Sequence, residues 1–217
     1  MVIGWLAVAC YAAVILVATV TTENADLPPG ARADDGTAAE AFIASWERAG
    51  NATFVRTGTF ERRSDVTGSS ISSEDVLAQR PPQRLHRQLG GVSGRDDQRL
   101  VLCPSAPAET PEHECSLGEP TGPTYEADLA SEVAALGTLF EGPSPVYSVA
   151  ASAESGCFDL VQLRVEPRAR LGTEATFCFD PATGAPTNSR VAYEGGIVEV
   201  VAVTGLRGEV SDEDLEP

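Results

Sequence analysis

The first twenty residues of this 217-residue chain, Met1 to Val20, contain no charged side chain. A helix needs about twenty apolar residues to cross a bilayer, whereas a cleaved signal peptide has an apolar stretch of roughly 7–15 residues behind basic ones. We therefore predict a transmembrane signal anchor over residues 1–22, followed by a Pro- and Gly-containing linker over residues 23–36. Cleavage at a small residue between Ala18 and Ala25, which releases the same domain in soluble form, is the alternative.

Four of the five cysteines lie beyond this apolar run, at Cys103, Cys115, Cys157 and Cys178. Four cysteines allow three disulfide connectivities, and hairpin geometry favours one of them. Folding the two strand-like segments around Cys157 and Cys178 about the turn between them places these residues opposite each other, with β-carbons about 4.5–5.5 Å apart. Cys103 then pairs with Cys115. Because disulfides persist in oxidising compartments, we expect a cell-membrane protein whose C-terminal domain lies on the extracytoplasmic side.

Signatures of metal and catalytic sites are missing from the sequence. There is no C-x-x-C pair and there are only two histidines, His86 and His113, so we predict no zinc site and no cofactor. The motifs G-x-S-x-G, H-E-x-x-H and G-x-G-x-x-G are absent. Residues 91–95 only approximate the hydrolase motif and are predicted to form a turn. We expect a protein that is not an enzyme, with a hydrolase that uses His86 as a base as the less favoured alternative.

The formal net charge of −17 excludes most partners that are themselves polyanions. Nucleic-acid binding requires a basic surface that releases counterions, so it is not expected. Residues 51–102, the arginine-rich segment, go against this trend with eight arginines and six acidic residues. Two interpretations remain open for it. Its arginines pair with acidic residues of the C-terminal half on a solvated sheet face, or some of them bind an anionic headgroup or an acidic partner at the rim of a cavity.

Hydrophobic periodicity predicts an α+β fold. Thr37 and Glu40 form a capping-box pattern ahead of a first helix that carries Phe42 and Trp46 on one face, and residues 125–140 predict a second helix. Short alternating segments predict antiparallel strands over residues 53–62, 71–79, 83–89, 98–103, 146–151, 157–165, 173–179, 187–194 and 197–206. Such an order is typical of a curved antiparallel sheet wrapped around one or two helices. We expect one domain over residues 37–208 and a frayed acidic tail over residues 209–217.

The first helix with Phe42 and Trp46, the strand at residues 54–60 and the entry to the next strand at residues 81–85 resemble the LolA/LppX/RseB-like half-barrel superfamily. The similarity covers most of residues 37–207 and rests on element order more than on motifs. The resemblance implies a half-barrel whose concave face binds acyl chains or a lipidated partner.

The function expected from these observations is that of a membrane-anchored envelope protein that holds a lipid or other apolar ligand. The alternative is a regulatory ectodomain that contacts another envelope protein. In the first case, Phe54 and Phe60 on one strand face line the apolar side of the site. The polar candidates are Arg84, His86 and Arg87 on one predicted strand.

Overall fold

The computed structural model describes residues 36–103, 115–165 and 170–217. In these ranges, two α-helices pack against one open antiparallel sheet of eleven strands, which confirms the predicted α+β class. The helices are α1 (Thr37–Asn51) and α2 (Tyr125–Phe140). The strands are β1 (Phe54–Ser64), β2 (Ser70–Arg80), β3 (Gln83–Gln88), β4 (Gly91–Asp96), β5 (Arg99–Leu102), β6 (Ser116–Leu117), β7 (Tyr147–Ala151), β8 (Cys157–Gln162), β9 (Glu174–Phe179), β10 (Pro186–Tyr193) and β11 (Ile197–Arg207).

The strand order across the sheet is β6-β5-β4-β3-β2-β1-β11-β10-β9-β8-β7. Two meanders are therefore joined at the centre, where β1 pairs with the last strand, β11. The predicted anchor over residues 1–22 and the linker up to residue 35 lie outside the described residues. Among the helices of the described ranges, none has the length and apolar character needed to span a membrane.

The main core lies between the two helices and strands β7 to β10. Phe42 of α1 is fully buried at its centre and contacts the rings of Phe140, Phe158 and Phe179, with centroids 5.5–6.1 Å apart. Edge-to-face contacts of this kind stabilise aromatic clusters beyond the gain from buried area. Helix α1 is thereby fixed on the concave face by the aromatic residue that the sequence assigned to its apolar side.

The two helices begin in different ways. Helix α2 runs over the residues predicted for it, and the Oγ1 of Thr124 caps its first turn by accepting a hydrogen bond from the backbone N–H of Ala127 at 3.2 Å. The capping box predicted for α1 is wrong. Thr37 is already helical, and the N-cap residue is Gly36, which has a φ of 83° and no side chain to accept a hydrogen bond.

Both predicted disulfides are confirmed. Strands β8 and β9 pair in a register that places Cys157 directly opposite Cys178, and the two sulfur atoms are bonded. The second bridge joins Cys103, at the end of β5, to Cys115, just before β6. The first bridge links adjacent strands of the sheet, and the second joins the end of β5 to the start of the edge strand β6.

The sequence prediction of a turn at residues 91–95 is wrong, because these residues form strand β4, which pairs with β3. The glycines that suggested a turn are instead part of this strand pairing. A β-carbon at Gly94 would lie 2.4 Å from the backbone oxygen of Arg84 on the neighbouring strand. Gly94 therefore permits a close approach of two strands, one of the uses of glycine within a sheet.

The acidic C-terminal tail is folded, in contrast to the predicted frayed segment. It forms a short 3-10 helix, Glu213–Leu215, that contacts β2 and β3 on the face opposite the helices. That face carries a row of buried apolar side chains, Val55, Ala78 and Leu85, paired in register across three strands. On the same face, Arg80 and Arg87 donate hydrogen bonds to the tail and hold it against β2 and β3.

Candidate ligand-binding cavity

A cavity of about 290 Å³ opens between the C-terminal end of α1, the first half of α2 and the concave face of the sheet. One part of it is apolar, and another part is charged. The apolar lining consists of Trp46, Phe54, Leu77, Leu129, Phe177 and Phe179. The charged lining consists of Arg56, Arg84, Arg95, Asp128 and Glu132. A cavity with these two parts can hold a molecule that has an apolar body and a polar end.

The apolar wall is an extension of the core. The Trp46 ring contacts those of Phe177 and Phe179 with centroids 5.6 and 6.4 Å apart, both in edge-to-face geometry. Leu129 of α2 faces the wall from the other helix, and its side chain occupies the space that a β-carbon at Gly50 would need. The wall is thus held by packing on both helices and on β9.

The side chain of Gln79, 2% exposed, ties the end of α1 to the sheet. Its Nε2 lies 2.7, 3.1 and 2.9 Å from the backbone oxygens of Ala49, Gly50 and Ala52. The hydroxyl of Tyr125 donates a second hydrogen bond to the oxygen of Gly50 at 2.6 Å. Carbonyls at a helix C-terminus lack partners within the helix, so these two side chains satisfy them and set the position of α1 over the cavity.

A buried charge network lies beside the cavity. Asp75, fully buried, pairs with Arg56 at 3.2 Å, and its other oxygen lies 2.7 Å from Nε2 of His86 and 2.9 Å from Nε2 of Gln88. Burial raises the pKa of Asp75, but the hydrogen bond from His86, the charge of Arg56 and the hydrogen bond from Gln88 outweigh it, so the pKa lies below its usual value. Asp75 is therefore a carboxylate at neutral pH.

Four of the five charged lining residues have partners of opposite charge. Arg56 pairs with Asp75, the Nη1 of Arg95 lies 2.7 Å from the Oδ2 of Asp128, and Glu132 binds the Nη2 of Arg170 at 2.8 Å. Arg84 is different. No carboxylate of the described residues lies within ion-pair distance of its guanidinium, and its side chain is exposed at the mouth of the cavity. Among the described lining residues, the positive charge of Arg84 is thus the one that no ion pair compensates.

The predicted site residues divide into two groups. Phe54 and Arg84 line the cavity. Phe60, also buried, lies six residues further along β1, which corresponds to about 20 Å of strand, and is not part of the lining. His86 contacts Asp75 on the cavity face without lining the cavity, and Arg87 points to the opposite face, where it donates to the backbone oxygens of Asp214 and Glu216.

The first interpretation of the arginine-rich segment holds for part of it. Arg62 binds Glu199 at 3.0 Å and Arg80 binds Asp212 at 2.8 Å, so these residues pair with acids of the C-terminal half. Arg84 is placed at the rim of a cavity, as the second interpretation requires.

Two groupings of described residues have the composition of a catalytic pair or a metal cluster. Ser93 lies opposite His86 in the pairing of β3 and β4, but no hydrogen bond between the two side chains is present in the described ranges. The cluster of Glu154, Cys157 and Cys178 has metal-like spacing, yet its two cysteines are bonded to each other and provide no thiolate.

Several lining residues escaped the sequence analysis. The sequence places Trp46 only on one face of the first helix, and Phe177 and Phe179 only within the predicted strand at residues 173–179. Gln79 gave a usable signal, because it lies two residues from Leu77 and therefore shares the inward-facing side of β2 with it. A buried amide at such a position requires a hydrogen-bond partner.

No family model matches the sequence, and no curated protein matches it. Solved structures do. The chain is similar to MucB, with 18% identity and a TM-score of 0.44 over 84% of this chain and 63% of that one. It is similar to a chain in the structure of the Pseudomonas aeruginosa MucA/MucB complex, with 16% identity and a TM-score of 0.42 over 82% of this chain and 60% of that one. It is also similar to a LolA superfamily protein from Nitrosomonas europaea, with 7% identity and a TM-score of 0.36 over 83% and 98% of the two chains.

One of these solved structures is of a protein from the LolA superfamily, which the sequence resembles. This chain spans 63% of the length of the MucB chain. At these identities and TM-scores, the similarity transfers no ligand, partner or activity to this chain.

Proposed function

We propose that this chain is an extracytoplasmic binding protein of the bacterial envelope that holds a lipid or other apolar ligand in its half-barrel. The observation that carries the proposal is the cavity of about 290 Å³ between the helices and the concave face, with its aromatic wall at Trp46, Phe177 and Phe179. An open cavity beside a packed aromatic core leaves apolar area in water unless a ligand covers it.

The size of the cavity limits what it can hold. Ligand pockets have volumes of about 300–1,000 Å³, so this cavity is at the lower end of the range. It suits one acyl chain or a compact apolar group and is too small for a lipid with several chains. We therefore propose a ligand of which a single chain enters the protein.

The location in the envelope rests on the cysteines and on the apolar N-terminal residues. Two disulfides in one domain support an oxidising compartment. The proposed anchor over residues 1–22 keeps the domain at the outer surface of the cell membrane, within reach of lipids and of lipid-bearing proteins.

Native mass spectrometry of the full chain purified from membranes tests the ligand. We expect a bound lipid mass on the wild type and its loss in Leu129→Trp, because the larger side chain fills the cavity. The matched control is Leu100→Trp, which makes the same change at an exposed position of β5 outside the lining and is expected to keep the adduct. Bare polypeptide in repeated preparations, or equal adducts on both variants, would contradict the proposal.

One observation favours the alternative of an interaction domain without a ligand. On the side of β7 to β10, the concave face is filled by the protein's own side chains, among them Phe42, Phe140 and Phe158. If only bare polypeptide is found, the half-barrel acts as a rigid scaffold that contacts another envelope protein through its surface.

A further inference from the structure

The charges at the mouth of the cavity point to the chemistry of the ligand. Arg84 and Arg95 occupy directly opposed positions on β3 and β4, and both line the cavity. Like charges directly opposite each other destabilise a pair of strands. Asp128 relieves this repulsion for Arg95, whereas Arg84 has no carboxylate partner among the described residues.

A second cation lies deeper in the same cavity. Arg56 is only 8% exposed, and its Nη1 and Nη2 contact the backbone oxygen of Pro186 at 3.1 Å and the carboxylate of Asp75 at 3.2 Å. Within the described ranges, its Nε has no hydrogen-bond partner. A buried donor without a partner is costly, and a ligand oxygen or a water molecule would satisfy it.

The net charge of −17 does not cancel this local excess. At physiological ionic strength, exposed charges further apart than about 8 Å are largely screened. An anion at the mouth therefore interacts mainly with Arg84 and with the paired groups around it. The acidic lining residues, Asp128 and Glu132, are already neutralised by Arg95 and Arg170.

We propose that the ligand is a single-chain amphiphile with an anionic head, a carboxylate or a phosphate. Arg84 binds the head at the mouth, and the chain lies against Trp46 and Phe177. This inference rests on the proposed function, because it assumes that the cavity holds an apolar chain. It adds that the polar end of the ligand is negatively charged and identifies the residue that selects it.

Calorimetric titration of the purified full-length protein tests the inference. The protein is titrated with four water-soluble probes that share an octyl group. The probes are octanoate, octyl phosphate, octanol and octyltrimethylammonium. We expect one or both anions to bind about tenfold more tightly than octanol, since a hydrogen bond to a charged group contributes about that factor. The preferred anion identifies the head as a carboxylate or a phosphate. Octyltrimethylammonium is expected to bind most weakly.

Three variants separate the role of Arg84 from a general effect of charge. Arg84→Gln is expected to lower the affinity for the anions to that for octanol and to leave octanol binding unchanged. Arg99→Gln removes the same charge from an exposed position of β5 outside the cavity lining and is expected to change neither. Arg84→Lys keeps the charge and is expected to retain much of the anion preference.

The outcomes distinguish the two proposals. Equal affinities for octanol and octanoate, or equal effects of Arg84→Gln and Arg99→Gln, would overturn the anionic head while leaving an apolar binding site. Absence of binding for all four probes would contradict both proposals.

Discussion

Asp75 and Arg56 form an ion pair at 3.2 Å inside the sheet, between residues of the adjacent strands β1 and β2. Neither side chain is more than 10% exposed. The pair stands beside the cavity, where Arg56 contributes to the lining and Asp75 does not. Asp75 therefore holds a lining cation in place and compensates its charge.

Replacement of Asp75 by Asn is expected to lower the free energy of unfolding by about 3 kcal/mol, because it leaves the buried Arg56 without a counter-charge. Urea denaturation followed by circular dichroism measures the change. The control is Asp65→Asn, which removes the carboxylate from a pair with Arg63 whose side chains are 43% and 60% exposed. That change is expected to cost less than about 1 kcal/mol. Equal losses in the free energy of unfolding from the two substitutions would show that burial does not make the Arg56–Asp75 pair more stabilising than an exposed pair.

The stability of the fold is expected to depend on pH through Asp75. Its pKa in the folded protein is below the value of about 3.9 usual for the unfolded chain. The contribution to stability is therefore complete above that unfolded value and is lost as the pH falls through the lower folded value. Urea midpoints between pH 2 and 7 should show a smaller difference between wild type and Asp75→Asn at the acid end. A constant difference would contradict this linkage.

The two disulfides are expected to contribute unequally. The bridge Cys157–Cys178 closes a segment of 21 residues and Cys103–Cys115 one of 12. Each is expected to stabilise by about 2–4 kcal/mol, with the longer loop ahead by about 0.5 kcal/mol in the chain-entropy model. Paired Cys→Ala variants of each bridge, compared in urea, measure the two contributions. A larger loss from the shorter loop would show that the chain-entropy model does not describe these bridges.

The compartment is testable with thiol chemistry on intact cells. We expect the four cysteines of the bridges to resist alkylation before reduction and to react after it, because disulfide sulfurs are not nucleophilic thiols. Only Cys10 has no partner in the proposed pairing. Four freely alkylated sulfhydryls in the domain, detected by mass shift, would place it in a reducing compartment and contradict the proposed location.

The C-terminal tail is expected to detach when Asp214 is replaced by Ala. Its carboxylate accepts hydrogen bonds at 2.7 Å from both the backbone N–H and the hydroxyl of Ser211, and it also binds Arg207. Amide hydrogen exchange over residues 209–217 should accelerate in this variant. The control is Glu213→Ala, which removes an exposed carboxylate of the same 3-10 helix and should leave exchange near the wild-type rate. Similar exchange in both variants would mean that Asp214 does not hold the tail.

Local patterns were enough to predict much of the fold. The three- and four-residue spacing of apolar side chains located α2, and alternation in two segments around a turn placed Cys157 opposite Cys178. These features depend on interactions between residues close in sequence, for which periodicity is informative. Strand β4 was missed because Gly91 and Gly94 have turn character. The need for glycine there comes from the neighbouring strand, which the local sequence does not show.

The sequence by itself determined the class of fold, the order of the two helices and of nine of the eleven described strands, the disulfide pairing and a local excess of arginine. Only the tertiary structure decided which arginines are compensated. Arg84 and Arg95 face each other because of the register of β3 and β4, and Asp128 reaches one of them because α2 packs over the sheet. Charge pairing depends on distances of a few ångströms between distant parts of the chain, and those distances are set by packing.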